Sequence, residues 1–267
     1  MSNTKVKKER ADQLLVQKGL IESRSKAQSF IMAGSVEYKK VSSDFKSETW
    51  CKIDKAGEAF LPDVEMRILD NHSKDVGRGA QKMRRSFEYW PYLNDAAQNA
   101  LALDIGSSTG GFTQVLLEKG ARQVVALDVG THQLHERLRA DSRVLSLEQT
   151  HVLKIDRDFF RSHGVTDLFD FLVMDVSFIS STKVIPHAAP WMKVGAYWVI
   201  LVKPQFELDA KKVPRGIVKN PDHRKEALDS VIGLARSLDC FNIEGHCESP
   251  ISGADGNVEY LLCLKKL

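Results

Sequence analysis

Cysteine is scarce in this chain of 267 residues: four in all, Cys51, Cys240, Cys247 and Cys263, with no Cys-x-x-Cys pair and no histidine ladder beside them. That spacing excludes a disulfide framework and gives no support to a zinc or other metal site, and free thiols fit a reducing cytoplasm. Long apolar runs are missing as well. None approaches the roughly 20 residues needed to cross a bilayer, and the polar start, Met1 to Arg10, lacks the apolar stretch of a secretory signal. The expectation is a cytoplasmic chain with no membrane partner. A strong charge imbalance is absent too: 38 Lys and Arg against 35 Asp and Glu leave a net charge of +3. Any nucleic-acid argument must therefore rest on where the charges sit. What is present, 43% hydrophobic and 27% charged residues, is ordinary for a globular protein, with length for one large domain and a small one.

The stretch Leu101-Ala-Leu-Asp-Ile-Gly-Ser-Ser-Thr-Gly-Gly-Phe112 carries the first functional signal. Its apolar start suits a strand buried on both faces of a parallel sheet. Asp104 lies near the end of that run, and Gly106, Gly110 and Gly111 form a loop that a ligand can approach closely. Phe112 to Gly120 reads as a helix, and Gln123-Val-Val-Ala-Leu-Asp128 as a second strand ending in an acid. Strand, glycine loop, helix, strand and terminal acid make a nucleoside-binding unit, with Asp128 placed for ribose hydroxyls. The pyrophosphate fingerprint Gly-x-Gly-x-x-Gly is absent. An acid two residues before the first glycine opposes phosphate and suits a cationic ligand such as S-adenosylmethionine. Candidate cofactor residues are Asp104, Gly106, Ser107, Thr109, Gly110, Gly111, Phe112, Asp128, Val129, Thr150, His151 and Asp175.

Further strands deliver charge to the same edge. Asp167-Leu-Phe-Asp-Phe-Leu-Val-Met-Asp175 ends in a carboxylate, and Tyr197 to Val202 hands over to Lys203-Pro-Gln-Phe-Glu207. Val258 to Leu264 reads as a closing strand with Glu259 at its start, while Lys82 opens a basic helix before the first strand. Charged residues at the carboxyl ends of parallel strands point to ligand chemistry. Val129 to Arg139 is expected to be helical, Ser181 to Met192 a helix bent or broken at its prolines, and Lys225 to Leu238 a helix. Residues 209–221 suit a mobile substrate loop.

At the other end, Arg10 to Leu20 reads as an amphipathic helix closing at Gly19, Ser23 caps a second helix, and Val36–Val41 and 48–53 read as strands. This segment resembles the small RNA-binding domain of the ribosomal-protein-S-four type through Arg10-x-Asp12-x-Leu-Leu, Gly19-Leu20, Ser23-Arg24-Ser25-x-Ala27 and Ile31-x-Ala33-Gly34-x-Val36. It opens with a basic arm, Lys5, Lys7, Lys8 and Arg10. The RNA-binding candidates are Arg10, Lys18, Arg24, Lys26, Lys39 and Lys40, joined by Arg78 and Arg84 further on.

The motifs Asp104-Ile-Gly-Ser-Ser-Thr-Gly-Gly-Phe-Thr113, Asp128-Val-Gly, Asp175-Val-Ser-Phe-Ile-Ser180, Leu201-Val-Lys-Pro-Gln-Phe-Glu207 and Gly256-Asn-x-Glu259 together resemble the hemolysin A (TlyA) family. The resemblance spans nearly the whole chain. It implies an S-four-type RNA-binding domain over 1–60, a linker over 61–80 and an FtsJ-like methyltransferase domain over 81–267. The implied fold class is α/β: a Rossmann-like, mostly parallel seven-stranded sheet with helices on both faces, beside a small α+β domain. The implied activity is methyl transfer from S-adenosylmethionine to a cytidine ribose 2′-hydroxyl of ribosomal RNA, with ribosomal RNA or subunits as partner. Lys82, Asp175, Lys203 and Glu259 take the places of the family's catalytic tetrad. A non-catalytic RNA-binding or ribosome-assembly factor is the alternative. The family's haemolysin label would need membrane-inserting segments, and the sequence shows none of adequate length.

Overall fold

The computed structural model describes residues 8–32, 34–41, 48–69, 75–253 and 255–267. Lys5 and Lys7 of the basic arm, Ala33 of the S-four-like junction and residues 70–74 of the expected linker lie outside them. The chain divides into two units, Met1–Arg78 and Gly79–Leu267.

The first unit runs β1 (Glu9–Arg10), α1 (Ala11–Gln17), α2 (Arg24–Met32), β2 (Val36–Val41), β3 (Glu48–Lys52), β4 (Ala59–Phe60) and β5 (Met66–Ile68). In α1, Ala11, Leu14 and Leu15 fall on one face and are buried, the spacing a helix needs to meet a core. Gly19, in the left-handed region at φ +68°, ends that segment. The Ser23 hydroxyl accepts from the Lys26 amide at 3.3 Å, the cap expected for α2. The sheet order is β3-β2-β5, all antiparallel. Met66–Ile68 is thus a strand of this unit and not linker, and the next helix already begins at Gly79. The sequence hides β5 because three residues among charges carry too little alternation to read; Met66 belongs to the buried cluster with Leu14, Ile31 and Val36.

The second unit continues with α3 (Gly79–Tyr89), α4 (Leu93–Ala97), β6 (Leu101–Ile105), α5 (Gly111–Glu118), β7 (Gln123–Leu127), α6 (Glu136–Arg139), β8 (Val144–Leu147) and α7 (Arg157–Ser162). It is completed by β9 (Phe169–Met174), α8 (Ser181–Ala188), β10 (Met192–Val202), α9 (Pro204–Glu207), α10 (Pro221–Ser237), β11 (Phe241–Glu248) and β12 (Tyr260–Lys266). One seven-stranded sheet has the order β11-β12-β10-β9-β6-β7-β8. β8, β7, β6, β9 and β10 run parallel, and β12 is antiparallel to both its neighbours. Every residue of β6 is buried, as a central parallel strand covered on both faces requires. Phe160, Phe169, Leu172, Trp198 and Ile200 are among the side chains that fill the core.

One expected helix is shorter than its pattern, and one strand is not expected from the sequence. The helix expected from Val129 shrinks to the four residues of α6, because the amides of His132, Gln133 and Leu134 donate to the Glu148 carboxylate at 2.7, 2.9 and 3.1 Å instead of entering a helix. β11 is not legible in the sequence because a register shift between Ile243 and Gly245 breaks its alternation.

Candidate active site

The chain leaves β6 for β7 and β8 on one side, then returns to lay β9 on the other side of β6. At such a switch point a crevice opens beyond the carboxyl ends of the strands. The two strand ends are laced together, since the Asp175 amide donates to the Ile105 carbonyl at 2.9 Å. Gly106 follows at φ +83°, where a Cβ would come within 2.5 Å of the Asp175 carbonyl. Only glycine permits that approach.

Three carboxylates define the crevice. Asp104 is wholly buried; its Oδ2 accepts from the Thr113 hydroxyl at 2.6 Å, while Oδ1 has no hydrogen-bond partner among the described residues. Burial, with Asp175 and Asp128 nearby, outweighs the Thr113 bond and pushes the Asp104 carboxyl up to about 7. Asp128 is fixed by backbone amides, accepting from Ser108 at 2.8 Å and Gly130 at 2.7 Å. The Thr150 amide donates to the Asp128 carbonyl at 2.8 Å, so Thr150 and His151 do lie beside Asp128 and the exposed Val129. An unbonded buried oxygen at Asp104 and a rigid acid at Asp128 fit S-adenosylmethionine, whose ammonium and ribose need such acceptors.

Other expected cofactor residues have packing or capping work within the protein. Phe112 is buried against Gly79, and Gly111 makes room for a neighbouring helix: a Cβ there would stand 2.6 Å from the Ala80 amide. Gly110 lies against Leu134 and Leu138, at φ +94°. The His151 ring accepts from the Leu153 amide at 3.2 Å, capping a short turn. These are packing and capping tasks that a glycine-rich motif does not distinguish from ligand contact. Ser107 and Thr109 remain in the loop between β6 and α5. Thr113 is a site residue that sequence reasoning passes over, although a threonine on the buried face of an otherwise apolar helix turn is an available signal.

The four charged groups converge. Lys82 in α3 reaches Glu259 with Nζ to Oε2 of 2.6 Å, and lies 4.0 Å from Asp175 Oδ2. Lys203 Nζ lies 2.6 Å from Asp175 Oδ1 and donates to the Ser177 hydroxyl at 3.1 Å. Glu259 is only 2% exposed and Lys82 8%. Burial pushes the Asp175 carboxyl up, but Lys203 and then Lys82 outweigh it and hold the group below its ordinary value. Two ammonium and two carboxylate groups thus balance in a nearly dry site, which is the condition for burying them at all. Room for Glu259 comes from Gly253, where a Cβ would meet Oε1 at 2.5 Å. At the rim, Phe178 is 92% exposed with φ +65°, its ring 5.2 Å from that of Phe206. Glu207 accepts from the Ser180 hydroxyl and the Ser181 amide, holding the start of α8.

Residues 76–266 match the family model described as FtsJ-like methyltransferase. The chain belongs to the FtsJ-like methyltransferase family. It is 35% identical over 263 residues to the 16S/23S rRNA (cytidine-2′-O)-methyltransferase TlyA of Mycobacterium tuberculosis, covering 96% of this chain and 89% of that protein. It is 36% identical over 254 residues to Hemolysin A of Brachyspira hyodysenteriae, covering 94% and 98%. A solved Streptococcus thermophilus structure carrying the hemolysin label superposes with a TM-score of 0.71 at 35% identity, over 98% of this chain and 89% of that one. Among the described residues of this FtsJ-like protein, no helix is long and apolar enough to cross a membrane and no cluster could hold a metal ion.

The cations proposed for RNA are mostly held by neighbours. In the first unit, fully buried Asp12 accepts two bonds of 2.9 Å from Arg10, one of 3.1 Å from Arg24 and one of 2.8 Å from Gln28. The Arg10 bond is foremost in holding the Asp12 carboxyl well below the usual range. Both guanidiniums stay about half exposed, at 45% and 52%. Lys18 donates to the Pro62 carbonyl at 2.7 Å, Lys26 to Glu22 at 3.0 Å and Lys39 to Glu65 at 3.4 Å, while Lys40 is exposed and Arg78 half-buried. Arg84, in the methyltransferase unit of this FtsJ-like chain, pairs with Glu118.

Proposed function

We propose that this protein transfers a methyl group from S-adenosylmethionine to the 2′-hydroxyl of a cytidine ribose in ribosomal RNA. The observation that carries the reading is the meeting of Lys203, Asp175, Lys82 and Glu259 at the strand edge that also bears Asp104, Gly106 and Asp128. S-adenosylmethionine, when bound, supplies a methyl carbon already activated by its sulfonium. The chain's own task is to align a ribose oxygen and remove its proton, because that hydroxyl is too weak an acid to react unaided at neutral pH. Lys203 first passes its own proton to solvent and then takes the ribose proton, and Asp175 at 2.6 Å with the Ser177 hydroxyl stabilises the ammonium that re-forms. Lys82, anchored by Glu259, holds the ribose or its phosphate. The face of Phe178 offers a stacking surface for the target base.

The first unit acts as an S-four-type RNA-binding domain, with Arg10 and Arg24 set by Asp12 to meet phosphates. The test is transfer of radiolabelled methyl groups to purified ribosomal subunits, followed by mapping of the modified nucleotide. Label at a cytidine 2′-oxygen supports the reading. A protein that binds subunits but transfers nothing would instead be an assembly factor.

A further inference from the structure

Residues 209–219 connect two members of the tetrad. They follow α9, whose N-cap is Lys203, and are fastened near their C-terminal end by Asn257, two residues before Glu259. The Asn257 amide donates to the Gly216 carbonyl at 2.8 Å and accepts from the Val218 amide at 2.8 Å. Asn257 is only 1% exposed, and Val218, whose amide it holds, is buried as well. The Asn257 carbonyl in turn accepts from Gly253, the residue that makes room for Glu259. Within residues 209–221, expected from sequence to be mobile, Gly216 and Val218 are therefore held.

Its charge is one-sided. Lys211, Lys212, Arg215 and Lys219 stand against Asp209 alone. Lys212 is engaged by Glu226. Lys211, Arg215 and Lys219 are exposed, and among the described residues none of the three makes a hydrogen bond or ion pair. Arg215 sits at φ 55°, ψ 30°, directly before the clamped Gly216 at φ +79°. A bulky residue in that region is held there by its surroundings, and the buried Asn257 bonds supply the hold.

We infer that residues 209–219 form a preformed arm whose Lys211, Arg215 and Lys219 grip RNA phosphates next to the target nucleotide. The inference rests on the RNA-methylation reading above. Three unpaired cations on a fixed turn incur little ordering cost on meeting a polyanion, and their tether to both Lys203 and Glu259 ties that grip to the position of the ribose.

The experiment compares the wild-type protein with the triple variant Lys211→Ala, Arg215→Ala, Lys219→Ala. The readouts are binding to a ribosomal RNA fragment across a KCl series, and steady-state methylation of it. None of the three side chains has a partner to lose, so the fold should persist, as a thermal melt would verify. The expected result is an RNA KM raised at least tenfold, kcat at saturation and cofactor affinity within twofold of wild type, and a logarithmic salt slope shallower by about 2. Asn257→Ala keeps every charge but frees the arm, and should reproduce part of the KM rise. Unchanged KM and salt slope in the triple variant would overturn the inference, as would loss of binding to intact subunits alongside unchanged binding to bare RNA, which would assign the arm to a ribosomal protein. Failure of the methylation reading looks different: the wild-type protein would bind RNA and transfer nothing, and the salt slopes would still decide the arm.

Discussion

Asp104 concentrates a conflict at the scale of one residue, since burying a carboxylate with an unbonded oxygen costs stability. Its carboxyl is pushed from 3.8 to about 7 by burial. Between those values the folded protein keeps a proton that the unfolded chain has released, so stability falls as pH rises from about 4 to 7 and levels off above. Asp104→Asn keeps an acceptor for Thr113 and removes the ionisation. In urea unfolding without cofactor the variant should gain on wild type as pH increases through that window, by at most about 4 kcal/mol at pH 8. Parallel pH profiles would refute this. The same variant should bind S-adenosylmethionine more weakly, because a neutral amide meets an ammonium poorly. Lys203 makes the complementary case. Lys203→Ala should cut kcat by about 10²- to 10⁴-fold, the usual worth of a positioned base, with cofactor affinity within twofold by calorimetry. Near-normal turnover would remove Lys203 from the mechanism.

Helix α3 acts as an element rather than a surface: its close seat against α5 sets where Lys82 stands. Gly111→Ala would press a methyl group onto the Ala80 amide at 2.6 Å and onto Gly79 Cα at 3.0 Å. Such overpacking typically costs about 1–3 kcal/mol. The expected outcome is a melting temperature lower by several degrees and a larger fractional loss of methyl transfer per folded molecule, because Lys82 must leave its 2.6 Å contact with Glu259. Equal losses in both would mean that α3 positions nothing. Gly111 also marks the limit of what is legible in the chain. The alternation of buried strands and the acids at their ends can be read directly, so β6, β7, β9 and β10 and the residues Asp104, Asp128, Asp175 and Lys203 stand out. Tasks set by three-dimensional neighbours cannot. Gly110, Gly111 and Phe112 share a motif with Gly106 yet face other helices, and Glu148 draws three amides out of what periodicity makes a helix. Asn257 looks like a turn residue until its two partners, 39 and 41 residues away, are seen.

For the whole molecule, the small net charge proves unevenly placed. Residues 1–78 hold 15 lysines and arginines against 12 acids, whereas residues 79–267 hold 23 of each. The methyltransferase unit is neutral overall, so its hold on a polyanion depends on local placement such as residues 209–219, and the excess positive charge belongs to the first unit. There Asp12, itself buried, keeps two guanidiniums in fixed positions with their outer edges in water. A chain cut to residues 76–267 retains the span matched by the family model together with every tetrad and cofactor residue. It should bind S-adenosylmethionine within about twofold of the full chain by calorimetry. Its affinity for ribosomal subunits should fall at least tenfold, and the salt dependence of that binding should flatten by close to one logarithmic unit for each phosphate that the first unit no longer neutralises. Methylation should survive at high subunit concentration, because the tetrad is intact and only encounter is impaired. If the shortened chain binds subunits with unchanged affinity and salt slope, the first unit is not the RNA-holding domain, and its arginines serve only Asp12.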